Sequence, residues 1–400
     1  VSQWPIVRLG ELITSAESGF ACSKSKLVAN GLAHLRPFNI GTDGSLDLSN
    51  QYFVPLSEAP ATKRSLEPGE ILFNNTNSKE LVGKSVVVEE KMVAGFSNHL
   101  TKLHINADAA EPWWVNYFFL RLFQSGYFAK IATQWVSQAG FKASELKKLT
   151  IPLPPLDEQR RIVDILKRAD SIRRLRKQAL ETTRELIPAL FVDMFGDPAT
   201  NPKGWEILSL GKIVAGLEGG KNIQAGEDSP TNPFRILKVS AVTSGYFRPE
   251  EAKPAPDDYR PPAHHFVRKG DLLFSRANTV ELVGATALVE ADYPNLLLPD
   301  KLWRFVWLKP SPVLSAYLQH FLQSRHVRQE LGRLATGTSD SMRNISQAKL
   351  KTLPVPVPPL DRQQEFEGKC ADVRALIAQQ EYHLAQAEAL RQSLMAQFFN

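Results

Sequence analysis

Residues 151–197 read IPLPPLDEQRRIVDILKRADSIRRLRKQALETTRELIPALFVDMFGD. A proline-punctuated extended run passes into a long helical pattern. Apolar or small residues at Ile162, Leu166, Ala169, Ile172, Ala179, Leu186 and Leu190 mark one stripe on one face. The run VPVPPLDRQQEFEGKCADVRALIAQQEYHLAQAEALRQSLMAQFF, residues 355–399, repeats it. Adding 204 carries Pro155 to Pro359, Asp157 to Asp361, Gln159 to Gln363, Ile172 to Leu376, Leu186 to Leu390 and Phe195 to Phe399, with no gap. Two long helices of equal length, each after a comparable globular stretch, set the predicted architecture.

The repeat reaches into the globular stretches. GEILFNNTNSKELVGKSVVVEE (69–90) faces GDLLFSRANTVELVGATALVEA (270–291) at an offset of 201, as Trp4, Leu9 and Gly10 face Trp205, Leu210 and Gly211. The chain is a tandem duplication. Its expected division is a globular domain over 1–155, a central helix over 156–197, a second globular domain over 198–358 and a C-terminal helix over 359–400. Residues 1–110 read mainly as short strands punctuated by turns at Asn30-Gly31, Asp43-Gly44 and Pro68-Gly69. Residues 111–135 carry aromatic and aliphatic side chains at helical spacing, and Trp113, Trp114, Phe118 and Phe119 read as core. Asp157 is the expected N-cap of the first long helix. A helix over 157–187 would be about 45 Å long. Pro188 should kink or end it, and Gly196-Asp197-Pro198 should stop it. If the two halves are related by a pseudo-two-fold axis, the helices run antiparallel and share a seam, flawed at Arg176 and Gln380. The fold class expected is therefore α+β, with two similar α/β domains joined by two long antiparallel coiled-coil helices.

The net charge of +6 is unevenly placed. The helical stretches are near neutral, with nine basic against eight acidic residues over 157–197 and four against six over 361–400, so the globular parts are basic. That balance points toward a polyanion. The paired basic residues between Arg160 and Lys177 are interleaved with acids and read as a solvated or partner-facing helix. Cys22 and Cys370 suggest no disulfide framework, no apolar run approaches a membrane span, and VSQWPIVRLG is not a signal peptide. The expectation is a cytoplasmic protein.

Enzyme signatures are missing. Gly216-Leu-Glu-Gly-Gly-Lys221 lacks the spacing and hydroxyl of a phosphate loop and reads as a surface turn. Asn232-Pro-Phe234 lacks the second proline of an amino-methyltransferase loop and reads as a turn. His264-His265 has no partner at metal-ligand spacing. No catalytic residue, cofactor site or metal site is assigned.

The chain resembles the specificity (S) subunits of type I restriction–modification systems. The resemblance is carried by Leu35-Arg36-Pro37-Phe38-Asn39-Ile40, the paired Gly-Glu/Asp-Ile/Leu-Leu-Phe and Glu-Leu-Val-Gly motifs, and the repeated Pro-Pro-Leu-Asp-x-Gln. It implies a non-catalytic subunit that reads a bipartite target in double-stranded DNA, one half-site per domain, with the helices setting the gap. It also implies two methyltransferase (modification) subunits and, in the full complex, two restriction subunits. S-adenosylmethionine, ATP and Mg would then sit on those partners only. The modification subunits would dock on the Pro-rich leads and exposed helix faces. Where the first domain has Leu35-Arg36-Pro37-Phe38, the second has Leu237-Lys238-Val239-Ser240, a divergence that fits two domains reading different half-sites. A methyltransferase-like enzyme and a DNA-independent scaffold are the alternative classes.

Candidate DNA contacts follow the repeated Leu-Phe: Asn74, Asn75, Thr76, Asn77 and Lys79 in the first half, and Ser275, Arg276 and Asn278 in the second. Asn pairs bidentately with adenine and Arg with guanine, while Lys, Ser and Thr suit phosphates. The competing role for Asn and Thr is to cap a turn. Basic loop or strand-end positions add Lys24, Lys26 and Arg36, then Lys221, Arg235 and Lys238. His99 and Lys102 match Lys301 and Arg304 in placement, and Ser339 and Arg343 lie in a hydroxyl-rich loop.

Overall fold

The computed structural model describes residues 4–134, 138–224, 232–339 and 342–399. The chain forms two compact units, residues 1–177 with 382–400, and residues 178–381. Each unit therefore holds a globular part and portions of both long helices.

In the first unit, strands Ile13–Ser18, Leu100–Ile105, Ile71–Asn74 and Ser85–Val87 form a four-stranded antiparallel sheet in that order. A three-stranded sheet orders Tyr52–Val54, Leu32–Leu35 and Ala94–Phe96, the last pair parallel. A third orders Thr133–Gln134, Ala139–Gly140 and Thr76–Asn77. The second unit repeats all three with the same strand order, built on Val214–Gly219, Arg235–Leu237 and Ala277–Asn278. Gly216–Gly219 thus belongs to a strand paired with Leu302–Trp307, not to the surface turn expected from its glycines. The repeated Glu-Leu-Val-Gly motif has a steric reason. Gly83 and Gly284 sit at φ +94° and +80°, where a Cβ would lie 2.3 Å from the Phe128 ring and 2.8 Å from Leu331.

Helix α1 (Pro112–Gln124) begins with proline at its first position, and the Glu111 side chain accepts hydrogen bonds from the Trp113 and Trp114 amides. Trp114, Phe118 and Phe119 are buried as expected, while Trp113 is half-buried under Lys167, whose Nζ lies 3.9 Å from the ring centroid. Helix α2 (Leu156–Arg184) gives way to α3 (Leu186–Phe195). The last residue of α2, Arg184, lies four positions before Pro188, which has no N–H to offer its carbonyl. Asp157 is not the N-cap: the helix already begins at Leu156, and Asp157 stands exposed in its first turn, where its charge suits the helix dipole. The cap position falls on Pro155, whose carbonyl accepts the Gln159 amide.

Helix α4 (Ser315–Gln323) repeats α1, and α5 (Leu360–Phe399) is a single helix passing from the second unit into the first. In the first unit Ile162, Val163 and Leu166 share a core with Met395, Phe398 and Phe399, and Asp170 pairs with Arg391 at 2.5 Å. In the second, Phe191 and Phe195 meet Phe366 at 5.7 and 5.2 Å, and Arg184 pairs with Glu381. Rising numbers on one helix meet falling numbers on the other, so the segments are antiparallel within each unit.

The seam runs in strict steps of four and three: Phe366, Cys370, Val373, Ile377, Gln380, Leu384, Ala387, Arg391, Leu394 and Phe398, all buried or half-buried. Subtracting 204 gives Ile162, Leu166, Ala169, Arg173, Arg176, Leu180, Thr183, Ile187, Leu190 and Met194, of which Arg176 alone is exposed. The expected stripe holds at Ile162, Leu166, Ala169 and Leu190. It fails at Ile172 and Leu186, and at Leu376 and Leu390, all 44–50% exposed. The seam position beside Ile172 belongs to Arg173, whose guanidinium is tied to Asp43 at 2.6 Å. Burial pushes the Asp43 carboxyl up, but hydrogen bonds from Ser45 and Arg173 outweigh it and hold the group at about 2.

His320 of α4 stands against the Phe366 ring, and burial, helped by Arg374, lowers its pKa to about 4. The unfolded chain binds a proton near pH 6.5 that the folded unit refuses. Stability of the second unit should therefore fall as pH drops from 6.5 to 4, by at most about 1.4 kcal/mol per pH unit, and level off below. The unfolding midpoint followed against pH would show this slope in the native chain and lose it in His320→Gln.

Candidate nucleic-acid interface

The strand Ile71–Asn74 ends where its buried ladder stops, and the chain turns outward at Asn75. Three segments distant in sequence are locked there. The Asn75 amide donates to the His99 carbonyl (3.0 Å), and its carbonyl accepts from the Phe141 amide (2.9 Å). In the second unit the Arg276 amide donates to Lys301 (3.1 Å) and its carbonyl accepts from Ile345 (2.9 Å). Thr76 and Asn77 then pair with Gly140 and Ala139, as Ala277 and Asn278 pair with Asn344 and Arg343. One backbone frame is built twice.

The side chains on that frame differ. Asn75 spends its amide internally, donating to the Asn98 carbonyl (3.3 Å) and Thr101 Oγ1 (2.8 Å) and accepting from the Thr76 hydroxyl (2.7 Å). Arg276 instead donates from Nε to the Asp300 carbonyl (2.7 Å), has Nη2 3.5 Å from the Asp300 carboxylate, and lies over Trp303 with Cζ 5.6 Å from the ring centroid. Asn77 and Asn278 each accept the next residue's amide, as turn caps do. Lys79 is exposed, and His99, Lys301 and Arg343 are half-buried along the same edge. Lys221 is exposed beside it, bridged to Pro299. In the first unit the Asn98 amide donates to Phe20, and Arg36 reaches back to the Cys22 carbonyl (2.9 Å) and lies 5.1 Å from the Tyr52 ring centroid. Lys24 is exposed on a short turn, and Lys26 there pairs with Glu58 at 2.9 Å. Arg235 is half-buried with Nη2 3.3 Å from the Ala252 carbonyl, and Lys238 is exposed. The side chain of Ser339 lies outside the described residues.

Four candidates are turned inward instead. Asn74 and Ser275 are fully buried at the strand ends; Asn74 donates to the Leu81 carbonyl and Ser275 to that of Ala277. Lys102, in mid-sheet, stands 3.1 Å from Glu70 and 3.8 Å from Glu17, and His104 adds a 2.9 Å contact to Glu70. Arg304 repeats the arrangement with Asp271 (3.2 Å) and Glu218 (2.9 Å), and also donates to the His264 and Phe266 carbonyls. These cations are committed to acids of their own sheet. Buried charge without such partners is costly, so the pairing is structural.

His265 Nδ1 lies 2.7 Å from the Tyr259 hydroxyl, and the Asn232 side-chain Oδ1 accepts the Phe234 amide, so both side chains are engaged in local turn contacts. Among the described residues no group of three His, Cys, Asp or Glu is placed to hold a metal, and no helix is long and apolar enough to cross a membrane. Asn98, Thr101 and Trp303 complete the edge. No local motif marks them, and only the matched offsets of the two halves draw attention to their strands.

Residues 2–182 match the family model described as the Type I restriction modification DNA specificity domain. The specificity subunit of the Escherichia coli EcoEI type I restriction enzyme is 31% identical over 202 residues, covering 48% of this chain and 34% of that protein. The EcoKI specificity subunit of E. coli K12 is 24% identical, with 89% and 79% covered. The chain thus spans about a third of the first relative's length and most of the second's. Among solved structures, the S subunit of a type I system from M. genitalium superposes with a TM-score of 0.57 at 13% identity, covering 100% and 96% of the two chains. A chain from a study of complex assembly and conformational transition of the type I R-M system gives the same score at 20% identity, covering 98% and 96%. At such identities the likeness is one of fold.

Proposed function

This chain belongs to the family of type I restriction–modification specificity subunits, and from that premise we propose that it selects the DNA sequence for a methylating and cleaving complex. In this reading each unit reads one half of a bipartite duplex target and the chain itself performs no chemistry. Methyltransferase subunits, and restriction subunits where they join, supply S-adenosylmethionine, ATP and Mg chemistry.

One observation carries the reading. Each unit presents the same polar edge on the same hydrogen-bonded frame, yet with different side chains: Asn75, Asn98 and His99 in one, Arg276, Asp300 and Lys301 in the other. A scaffold or an enzyme has no need of that divergence. Two readers of two half-sites do. Phosphate contacts would come from the exposed Lys24, Lys79, Lys221 and Lys238, and base contacts from side chains of the edge whose polar atoms are not spent internally as those of Asn75 are.

Methylation mapping in cells expressing this chain with its methyltransferase partner tests the reading. A two-part motif with an unspecified gap is expected. Methylation that does not depend on this chain would refute it. We further propose that the heptad seam sets the gap. Inserting seven residues after both Leu180 and Leu384 lengthens each helix by about 10 Å, which is about three base pairs at ~3.4 Å each. The gap should grow by about that number with both half-sites unchanged; an unchanged gap would refute the spacer role.

A further inference from the structure

We propose that Arg276 reads a guanine in the half-site assigned to the second unit, and that the equivalent Asn75 makes no base contact in the first. The inference rests on the DNA-reading function proposed above. Arginine offers five N–H groups in a planar fork. Asp300 takes the inner edge, through Nε to its carbonyl and Nη2 toward its carboxylate, while Trp303 supports one face. The outer N–H groups of Nη1 and Nη2 remain, side by side and in plane, and the side chain is 31% exposed. Nη1 has no partner among the described residues. That outer pair matches the O6 and N7 acceptors of guanine, and a fork already held by Asp300 loses little freedom on binding.

The backbone adds a second argument. Arg276 leaves a fully buried strand at Ser275 and is fixed by the Lys301 carbonyl and the Ile345 amide, so its Cα does not drift. Phosphate contacts tolerate a mobile lysine; base readout requires a fixed origin. Asn75 occupies the same place in the first unit, but both its amide hydrogens and its carbonyl are engaged by Asn98, Thr101 and Thr76. Freeing it for adenine would break three bonds.

The test is methylation mapping of the complex carrying Arg276→Lys, Arg276→Ala or Asn75→Ala, beside the unaltered chain. Arg276→Lys keeps the charge and loses the fork. It should relax preference for one guanine, in one half-site only, by roughly 10- to 100-fold. The other half-site and the gap should stay as they were. Arg276→Ala should do the same or abolish methylation, and Asn75→Ala should leave both half-sites unaltered in sequence. A motif unchanged in Arg276→Lys, with methylation merely slower across all sites, would overturn the assignment and make Arg276 a phosphate contact. Relaxation of a half-site by Asn75→Ala would overturn the second part. If the unaltered chain directs no two-part motif, the DNA-reading function itself fails, an outcome separate from either of these.

Discussion

Replacing Gln159 by leucine should destabilise the first unit by about 3–5 kcal/mol, the sum expected for stranding several buried polar groups. Gln159 is fully buried at the start of α2. Its Oε1 accepts the Glu111 amide at 2.9 Å, and its Nε2 donates to the carbonyls of Pro154 (2.8 Å) and Ala109 (3.3 Å). One side chain therefore ties together the proline lead, the start of α2 and the cap of α1. Leucine fills a similar volume and satisfies none of the three. Gln363 does the same in the second unit, accepting from Leu314 (2.8 Å) and donating to Pro312 (3.0 Å) and Pro358 (2.8 Å), so Gln363→Leu should cost a similar amount there. Gln159→Glu separates hydrogen bonding from packing. A carboxylate still accepts from Glu111 but faces two carbonyls, so its folded pKa rises above the unfolded value near 4.3. Stability of that variant should fall as pH climbs through and above 4.3, and protonation on acidification should restore part of it. No loss at any pH would show that the side chain acts through volume alone, because glutamate fills the same space.

That glutamine shows where sequence reading stops. Pro-Pro-Leu-Asp-x-Gln is visible as a repeated motif, and the repeat alone establishes the duplication, the long helices and the existence of two globular units. What the motif does is not visible, because the partners of Gln159 at Ala109 and Glu111 lie some 50 residues earlier in the chain. The same limit governs the site. Lys102 and Arg304 look like surface cations until the sheet brings Glu70 and Asp271 beside them, and Asn75 looks available until Asn98 and Thr101 arrive. The helix stripe slipped by one position at Ile172 for a related reason: the seam residue there is Arg173, admitted only because Asp43 neutralises it. Local apolar pattern predicts which face is buried where the seam is apolar, and misplaces it where a distant partner makes a charge acceptable. The edge after the repeated Leu-Phe was legible as a polar break after a buried strand; which of its side chains remain open was not.

A chain stopped after Glu388 should lose the cooperative fold of its first unit while the second still unfolds in a distinct transition. The core of the first unit is completed from residues far along the chain: Met395, Phe398 and Phe399 pack with Trp114, Phe118 and Ile162, the Phe399 ring 4.4 Å from that of Trp114. The stop also removes Arg391, leaving the Asp170 carboxylate and the Gln124 amide without a partner they hold in the full chain. Single substitutions scale this down. Phe195→Ala empties a site ringed by Phe191, Tyr317 and Phe366 at 4.9–5.2 Å and should cost the second unit about 3–5 kcal/mol. Phe399→Ala, at a position 9% exposed, should cost the first unit about 3 kcal/mol, at the lower end of that range. Hydrogen exchange resolved along the sequence separates the two. Phe399→Ala should speed exchange in α1 and the start of α2 and leave α4 protected, and Phe195→Ala should do the reverse. Because the first unit takes residues 391–399 into its core, its globular part must wait for the last helix to be made, which favours slow folding through an incomplete intermediate. Supplying residues 360–400 in trans as a peptide should restore slow exchange in α1 of the truncated chain; slow exchange in α1 before any peptide is added would show that the core of the first unit closes without them.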